Sequence, residues 1–248
     1  MRISRTGMGD RDPAPSLTLP HGGGGDCAAP VAGEALYKLA SWLSPAYPVG
    51  AYTYSHGLES AIAAGDVRDA PTAAEWIRDC VEHGAGRSDA ILLCQAHRAA
   101  NAGDETALRE ISELARALLP SSERLLEAEA QGRAFANVTE ATWGMGEFKN
   151  PPYAVAVGVA AARHGIAVGP TVEMFLHAFV SNLVSACIRL VPLGQTEGQR
   201  IVSDLMATVQ GVAGAAMNAE LEDIGGCAIR SDIASMKHET QDVRLFRS

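Results

Sequence analysis

The stretch Met174-Phe-Leu-His-Ala-Phe-Val-Ser-Asn-Leu-Val-Ser-Ala-Cys-Ile-Arg-Leu-Val-Pro-Leu193 decides the fold. It is the most apolar run in the chain, yet it carries His177, Ser181, Asn182 and Arg189. An ionisable group inside a lipid-spanning helix is costly, so this run reads as a helix buried in a protein core. Together with Thr171–Glu173 it predicts a helix over Thr171–Leu190, closed by Pro192 and Gly194. Outward from it, helix follows helix. Leu36, Leu39, Ala40 and Leu43 recur at helical spacing before Pro45 and Pro48 force a loop. Helices are expected over Gly57–Ala64, from a Thr72-x-x-Glu75 capping box onward, and from a cap at Ser88 or Asp89 to about Ala100, with Gly84 and Gly86 as an interruption. Thr106–Leu119, Ser121–Asn137 and Tyr153–His164 fit too, and a Thr196-x-x-Gln199 box opens a helix to about Leu221. Ile229 to about Glu239 forms a last short helix. The weak alternation of Ala154–Val157 runs into an Ala-rich segment that suits a helix better than a strand. The reading is all-α: a single-domain multi-helix bundle over 31–227, a disordered Gly/Pro-rich leader over 1–30, and a C-terminal helix and tail over 228–248.

Composition narrows the function. The 248 residues hold 20 Lys and Arg against 29 Asp and Glu, a formal net charge of −9. With no basic run, such a chain is a poor partner for nucleic acid, whose affinity for protein rests on cations against phosphates. The tail is the exception, with Arg230, Lys237, Arg244 and Arg247 against Asp232, Glu239 and Asp242. Five scattered cysteines without a CxxC argue for a reducing compartment, and the leader lacks the apolar core of a signal peptide; a cytoplasmic protein without membrane attachment is expected.

Catalytic signatures are missing from the sequence: no GxxxxGK[ST], no GxGxxG, no GxSxG and no HExxH. No His follows a Glu by three residues, so the Glu-x-x-His pairs of helical di-metal enzymes are absent. Cys80-x-x-His83 with Cys94-x-x-His97 could converge as a soft metal site, but both pairs fall mid-helix, where buried cysteines are common. Glu173 and His177 at i, i+4 could be a ligand pair but read as a buried His hydrogen-bonded to a neighbour, adjacency does not orient Ser55 and His56 for catalysis, and His21 reads as tail. No catalytic residue, metal ligand or cofactor is assigned.

Two segments carry information instead. Leu43–Glu59 (L-S-P-A-Y-P-V-G-A-Y-T-Y-S-H-G-L-E) gathers Tyr47, Tyr52 and Tyr54, three of five tyrosines, in one loop. Such a cluster suits either an interface or a plug over the core. Ser231–Ser248 (S-D-I-A-S-M-K-H-E-T-Q-D-V-R-L-F-R-S) sets Val243, Leu245 and Phe246 between Arg244 and Arg247, a tail with little to bury unless it meets a partner or its own body.

These motifs, with Ser122-Glu-Arg124, Gln131-Gly-Arg133 and Leu190-Val-Pro-Leu-Gly-Gln195, make residues 34–248 resemble the urease accessory protein UreF family. The resemblance implies an all-helical, dimeric, non-enzymatic protein. It implies binding to the UreD (or UreH) accessory protein and recruitment of the nickel-carrying GTPase UreG, so that nickel reaches apo-urease. A helical metal-binding enzyme or a direct nickel binder is the alternative. It further implies partner-binding residues at Tyr52, Ser55, His56, Gly57 and Glu59 and at Met236, Lys237, His238, Glu239, Thr240, Arg244, Leu245 and Phe246. Tyr52 would brace the dimer or the UreG platform. Residues 236–246 would order on UreD/UreH, with Arg244 fixing the tail through bidentate bonds. Asp242 departs from the aromatic usual in the family.

Overall fold

The computed structural model describes residues 33–248; the expected disordered leader and His21 lie outside the described residues. The helices are, in chain order, α1 (Gly33–Trp42), α2 (Leu58–Ala63), α3 (Ala70–Glu82), α4 (Ala85–Ala102), α5 (Glu105–Ala117), α6 (Ser122–Trp143), α7 (Tyr153–Arg163), α8 (Val168–Leu190), α9 (Gln195–Asp204), α10 (Met206–Ala216) and α11 (Ile229–His238). No strand occurs among the described residues, and 33–248 cluster in one compact unit. The all-α expectation holds.

α7 is the centre, with every residue from Ala154 to Ala162 buried against α4 and α6. Short side chains let backbones approach: a Cβ on Gly158 would lie 2.4 Å from the Leu93 carbonyl oxygen of α4. α8 is long and apolar enough to cross a membrane by length and composition, but it packs into the bundle through Val172, Phe175, Leu176, Val180, Leu183 and Val184, all buried. His177, expected to be a buried histidine, lies on its exposed face, as does Arg189. Trp42, Phe135, Tyr47 and Tyr153 form an edge-on aromatic chain, with Trp42 and Phe135 6.0 Å apart, that ties α1 and the following loop to α6 and α7.

Several helix starts differ from expectation. α3 begins at Ala70, capped by Asp69: Thr72 N–H donates to Asp69 Oδ1 (3.0 Å) and Asp69 N–H donates to Thr72 Oγ1 (3.1 Å). Thr72 thus closes the box as the third helical residue rather than opening it, because Pro71 is pre-set for a first helical turn. The expected interruption after α3 falls at His83 and Gly84, but Gly86 already lies in the first turn of α4, so neither Ser88 nor Asp89 is a cap. At α9 the Glu197 carboxylate accepts the Gly194 N–H (2.9 Å), so the cap lies two residues ahead of the expected Thr196. The helix expected to reach Leu221 is broken at Leu205 and ends at Ala216. Ser121, expected as the first residue of a helix, instead caps α6, accepting the Arg124 N–H at 3.2 Å, and that helix continues past Asn137 to Trp143.

Candidate docking surface

The two informative segments, far apart in sequence, meet. α11 crosses α2 where Gly57 adopts a left-handed φ of 76°. A Cβ there would stand 2.5 Å from the Ser235 backbone nitrogen and 2.8 Å from its Cα, so only glycine admits this approach. Ser235 Oγ meets Ser121 Oγ at 2.6 Å. One turn on, the Glu239 carboxylate accepts Ser122 N–H (2.7 Å) and Glu123 N–H (3.4 Å), an anion on the positive end of α6. α11 is therefore pinned at three points of its inner face.

The tail follows. Glu59, itself buried, accepts Leu245 N–H at Oε1 (2.8 Å) and Phe246 N–H at Oε2 (2.9 Å). Arg247 N–H donates to Thr53 O (2.8 Å) and Ser55 N–H to Ser248 O (2.7 Å), a short extended pairing between the tail and the tyrosine loop. Ser55 Oγ donates to the same Ser248 carbonyl, and Ser248 Oγ donates to Glu127 Oε2 (2.7 Å). Arg189 of α8 stacks over the Phe246 ring (4.3 Å to its centroid) and donates from Nη2 to the Tyr52 carbonyl (2.9 Å). The tail, expected to take its order from a partner, is packed on its own body in the single chain. Arg244 reaches Glu123 through Nη1 alone, 2.6 Å from Oε1, rather than in the expected bidentate fashion. Asp242 is exposed.

Beneath the tail lies a buried charged cluster. Glu127 pairs with Arg124 and sits 2.9 Å from His56 Nε2, and Gln131 donates to it (2.9 Å). Burial would raise the Glu127 carboxyl, but Arg124 and then His56 hold it down at about 2. Burial, reinforced by Arg124, lowers His56 below its ordinary value, and its Nδ1 is buried without a partner among the described residues. The cluster borders a cavity of about 310 Å³ closed by Tyr153, Phe175 and Phe179. Asp89 also faces it, pushed up to about 6 by burial.

The predicted residues divide by role. Ser55, His56, Gly57, Glu59, His238, Glu239 and Phe246 all face inward or bind the body and form the clamp. Tyr52 (61% exposed), Met236 (49%) and Leu245 (77%) face solvent, as do Lys237 and Thr240. The tyrosine loop is both plug and surface: Tyr54 is buried and Tyr47 bonds Thr139 Oγ1 (2.8 Å), while Tyr52 stands out. On α11 the outer face presents Ile229, Ile233 and Met236, an apolar stripe at i, i+4, i+7 that is left exposed among the described residues. Ile229, Ile233, Glu123, Glu127 and Arg189 were not among the site residues expected from the sequence. The stripe was open to helical-period counting, and Arg124-x-x-Glu127 inside an apolar helix face was the signal for the cluster.

The other candidate constellations do not assemble. Cys80 Sγ bonds Ser231 Oγ (3.5 Å), His97 bonds the Ile166 carbonyl (2.8 Å), and burial pushes the Cys80 and Cys94 thiols up to about 11, where thiolate is scarce. No group of three or more metal-ligating side chains occurs among the described residues. His177 pairs with Ser181 Oγ (3.4 Å) rather than with Glu173, and Ser55 turns to the tail, away from His56.

A family model described as UreF matches residues 67–206. A urease accessory protein UreF from Bradyrhizobium diazoefficiens is 50% identical over 232 residues, covering 90% of this chain and 96% of its own length. The chain belongs to the UreF family. Another UreF, from Rhodopseudomonas palustris strain HaA2, is 48% identical over 224 residues, covering 87% of this chain and 94% of its own length. One from Cereibacter sphaeroides is 50% identical over 215 residues, covering 87% and 99%. These UreF relatives are named as accessory proteins rather than as enzymes. The clamp elements of this UreF family member, Tyr52–Glu59 and α11 with the tail, lie outside the 67–206 match and flank it on both sides.

Proposed function

We propose that this protein is a urease maturation adaptor. It bridges the UreD/UreH partner and the UreG GTPase, without catalysis of its own, so that nickel enters apo-urease; it works in the cytoplasm as a homodimer. The observation that carries the reading is the combined outer surface of α11 and the tail. Ile229 (57% exposed), Ile233 (44%), Met236 (49%), Val243 (79%) and Leu245 (77%) are apolar, exposed and held in one place by the clamp. A patch of this kind on a rigidly seated helix favours an apolar partner groove. Tyr52 stands beside it on the loop that pairs with the tail, which suits a second partner site or the dimer contact. Membership of a family named for urease accessory function supplies the enzyme being matured. The test is urease activation in cells lacking this protein, with the nickel content of the urease measured. Nickel-poor urease restored by the wild-type chain supports the reading, and normal nickel loading without the protein refutes it.

A further inference from the structure

One carboxylate inside the body has nothing to neutralise it. Asp89 of α4 faces the cavity of about 310 Å³ and also borders a second of about 240 Å³, as do His56, Arg124 and Phe179. No hydrogen bond or ion pair reaches its carboxylate among the described residues. The Arg124 guanidinium is taken by Glu127. His56 supplies a second unused acceptor. Burial, then Arg124, lowers its ring below the ordinary value, so the ring is neutral. Nε2 lies 2.9 Å from Glu127 Oε1, and a carboxylate there holds the ring proton on Nε2. Arg124 Nη1 stands 3.1 Å from the same nitrogen but is committed to Glu127. Nδ1, buried and unpartnered among the described residues, therefore keeps a lone pair. The walls are aromatic: the Tyr153 and Phe175 rings lie 5.7 Å apart, and Phe179 meets His56 edge-on at 5.0 Å. The outer end of the cavity reaches the exposed Tyr52, His177 and Ser185.

The charges leave one deficit. Arg124 balances Glu127, and Asp89 stands over. A buried charge without a partner is costly, and a cation that brings its own N–H groups removes that cost. The faces of aromatic rings favour the same sign of charge. A metal ion suits these donors less well, because no third His, Cys, Asp or Glu joins Asp89 and His56 as a ligand group among the described residues. The volume lies at the lower end of the range for small-molecule sites. We propose that the cavity binds an organic monocation, an alkylammonium or alkylguanidinium group, which donates to the Asp89 carboxylate and His56 Nδ1 and lays its stem against Tyr153, Phe175 and Phe179. A free small molecule and a Lys or Arg of a partner carry this same chemistry. Binding leaves α11 and the tail seated. It is tested on the isolated chain, so the site can fail while the adaptor reading stands, and the converse.

The experiment titrates n-butylammonium into the full ¹⁵N-labelled chain and follows the amides of Tyr153, Phe175 and Phe179, with n-butanol as the uncharged match. At about pH 8 the Asp89 carboxyl, pushed up to about 6 by burial, is ionised. The site requires saturable binding of n-butylammonium, about tenfold or more tighter than n-butanol and about tenfold or more weakened by Asp89→Asn. Asp89→Asn removes a buried charge that has no partner, so its thermal stability should be no lower than that of the wild type. Should it not fold, the comparison of n-butylammonium with n-butanol on the wild type decides. No saturable response to n-butylammonium, an equal response to n-butanol, or Asp89→Asn binding like the wild type overturns the proposal. A response of these amides to nickel ion alone, without one to n-butylammonium, overturns it too. Partner capture then reads the source. Asp89→Asn co-purifying about tenfold less UreD/UreH or UreG assigns the site to a partner's side chain, and undiminished capture assigns it to a free ligand.

Discussion

Replacing Gly57 by alanine should detach α11 and the tail while leaving the helices before them folded. Two costs arise. The left-handed φ of 76° costs a residue with a Cβ roughly 1–2 kcal/mol. The new methyl would also stand 2.5 Å from Ser235 N, 2.8 Å from Ser235 Cα and 2.9 Å from Ala234 C, against the usual 3.5–4.0 Å of carbon contacts. All three are backbone atoms, so no rotamer change relieves the clash, and overpacking of this kind costs about 1–3 kcal/mol. The sum, about 2–5 kcal/mol, falls on the docking of α11 rather than on the α4–α7 core, which Gly57 does not touch. At tenfold per 1.4 kcal/mol, the open population of the tail should rise at least about thirtyfold. Trypsin reads this directly, because Lys237 and Arg244 lie in the segment released and cleavage of an open state tracks its population. Gly65→Ala is the control: its φ is 80° but nothing lies within 4 Å of the added methyl, so it carries the backbone strain without the clash. Tail cleavage in Gly57→Ala within about threefold of wild type would refute the close-approach argument, as would an equal rise in Gly65→Ala.

Glu127→Gln should destabilise the chain by about 3–5 kcal/mol in urea unfolding, because Arg124 keeps its buried charge and loses its partner. For the same reason the wild type has an acid limb: with Glu127 held below its ordinary value, its contribution is complete only above about pH 5 and is lost as pH falls through about 2, which Glu127→Gln should lack. Tyr52→Ala should leave thermal stability within about 0.5 kcal/mol, since the exposed ring anchors nothing, while co-purification of UreG or dimer formation by light scattering is lost. Arg244→Ala, or removal of the last dozen or so residues, should abolish the ternary complex with UreD/UreH and UreG in co-purification; an intact complex would sink the tail's role.

The helices were legible because their signals are local. The apolar stripe of α8, the polar breaks after it and the Ser121 cap are each written within a few residues of where they act. Boundaries failed where two signals overlapped or none existed. Asp69 and Thr72 both qualify as caps and Pro71 decides between them, whereas the break at Leu205 has neither Gly nor Pro to announce it. The clamp was half legible. Resemblance marked Glu59 and His238 separately, but their pairing spans 179 residues and has no periodicity to betray it. The even choice between plug and interface for the tyrosine loop was undecidable from composition, because alternate members of one cluster do each job.

The clamp joins residues 53–59 to residues 235–248, partners separated by nearly the whole chain. During synthesis, therefore, the early half of this surface waits exposed until the last helix leaves the ribosome, and long-range closure of this sort comes late in folding. A chain broken off before about residue 230 would retain the α4–α7 core yet present no seated α11 and no docked tail. The seated surface therefore exists only in molecules in which both segments have been made and brought together.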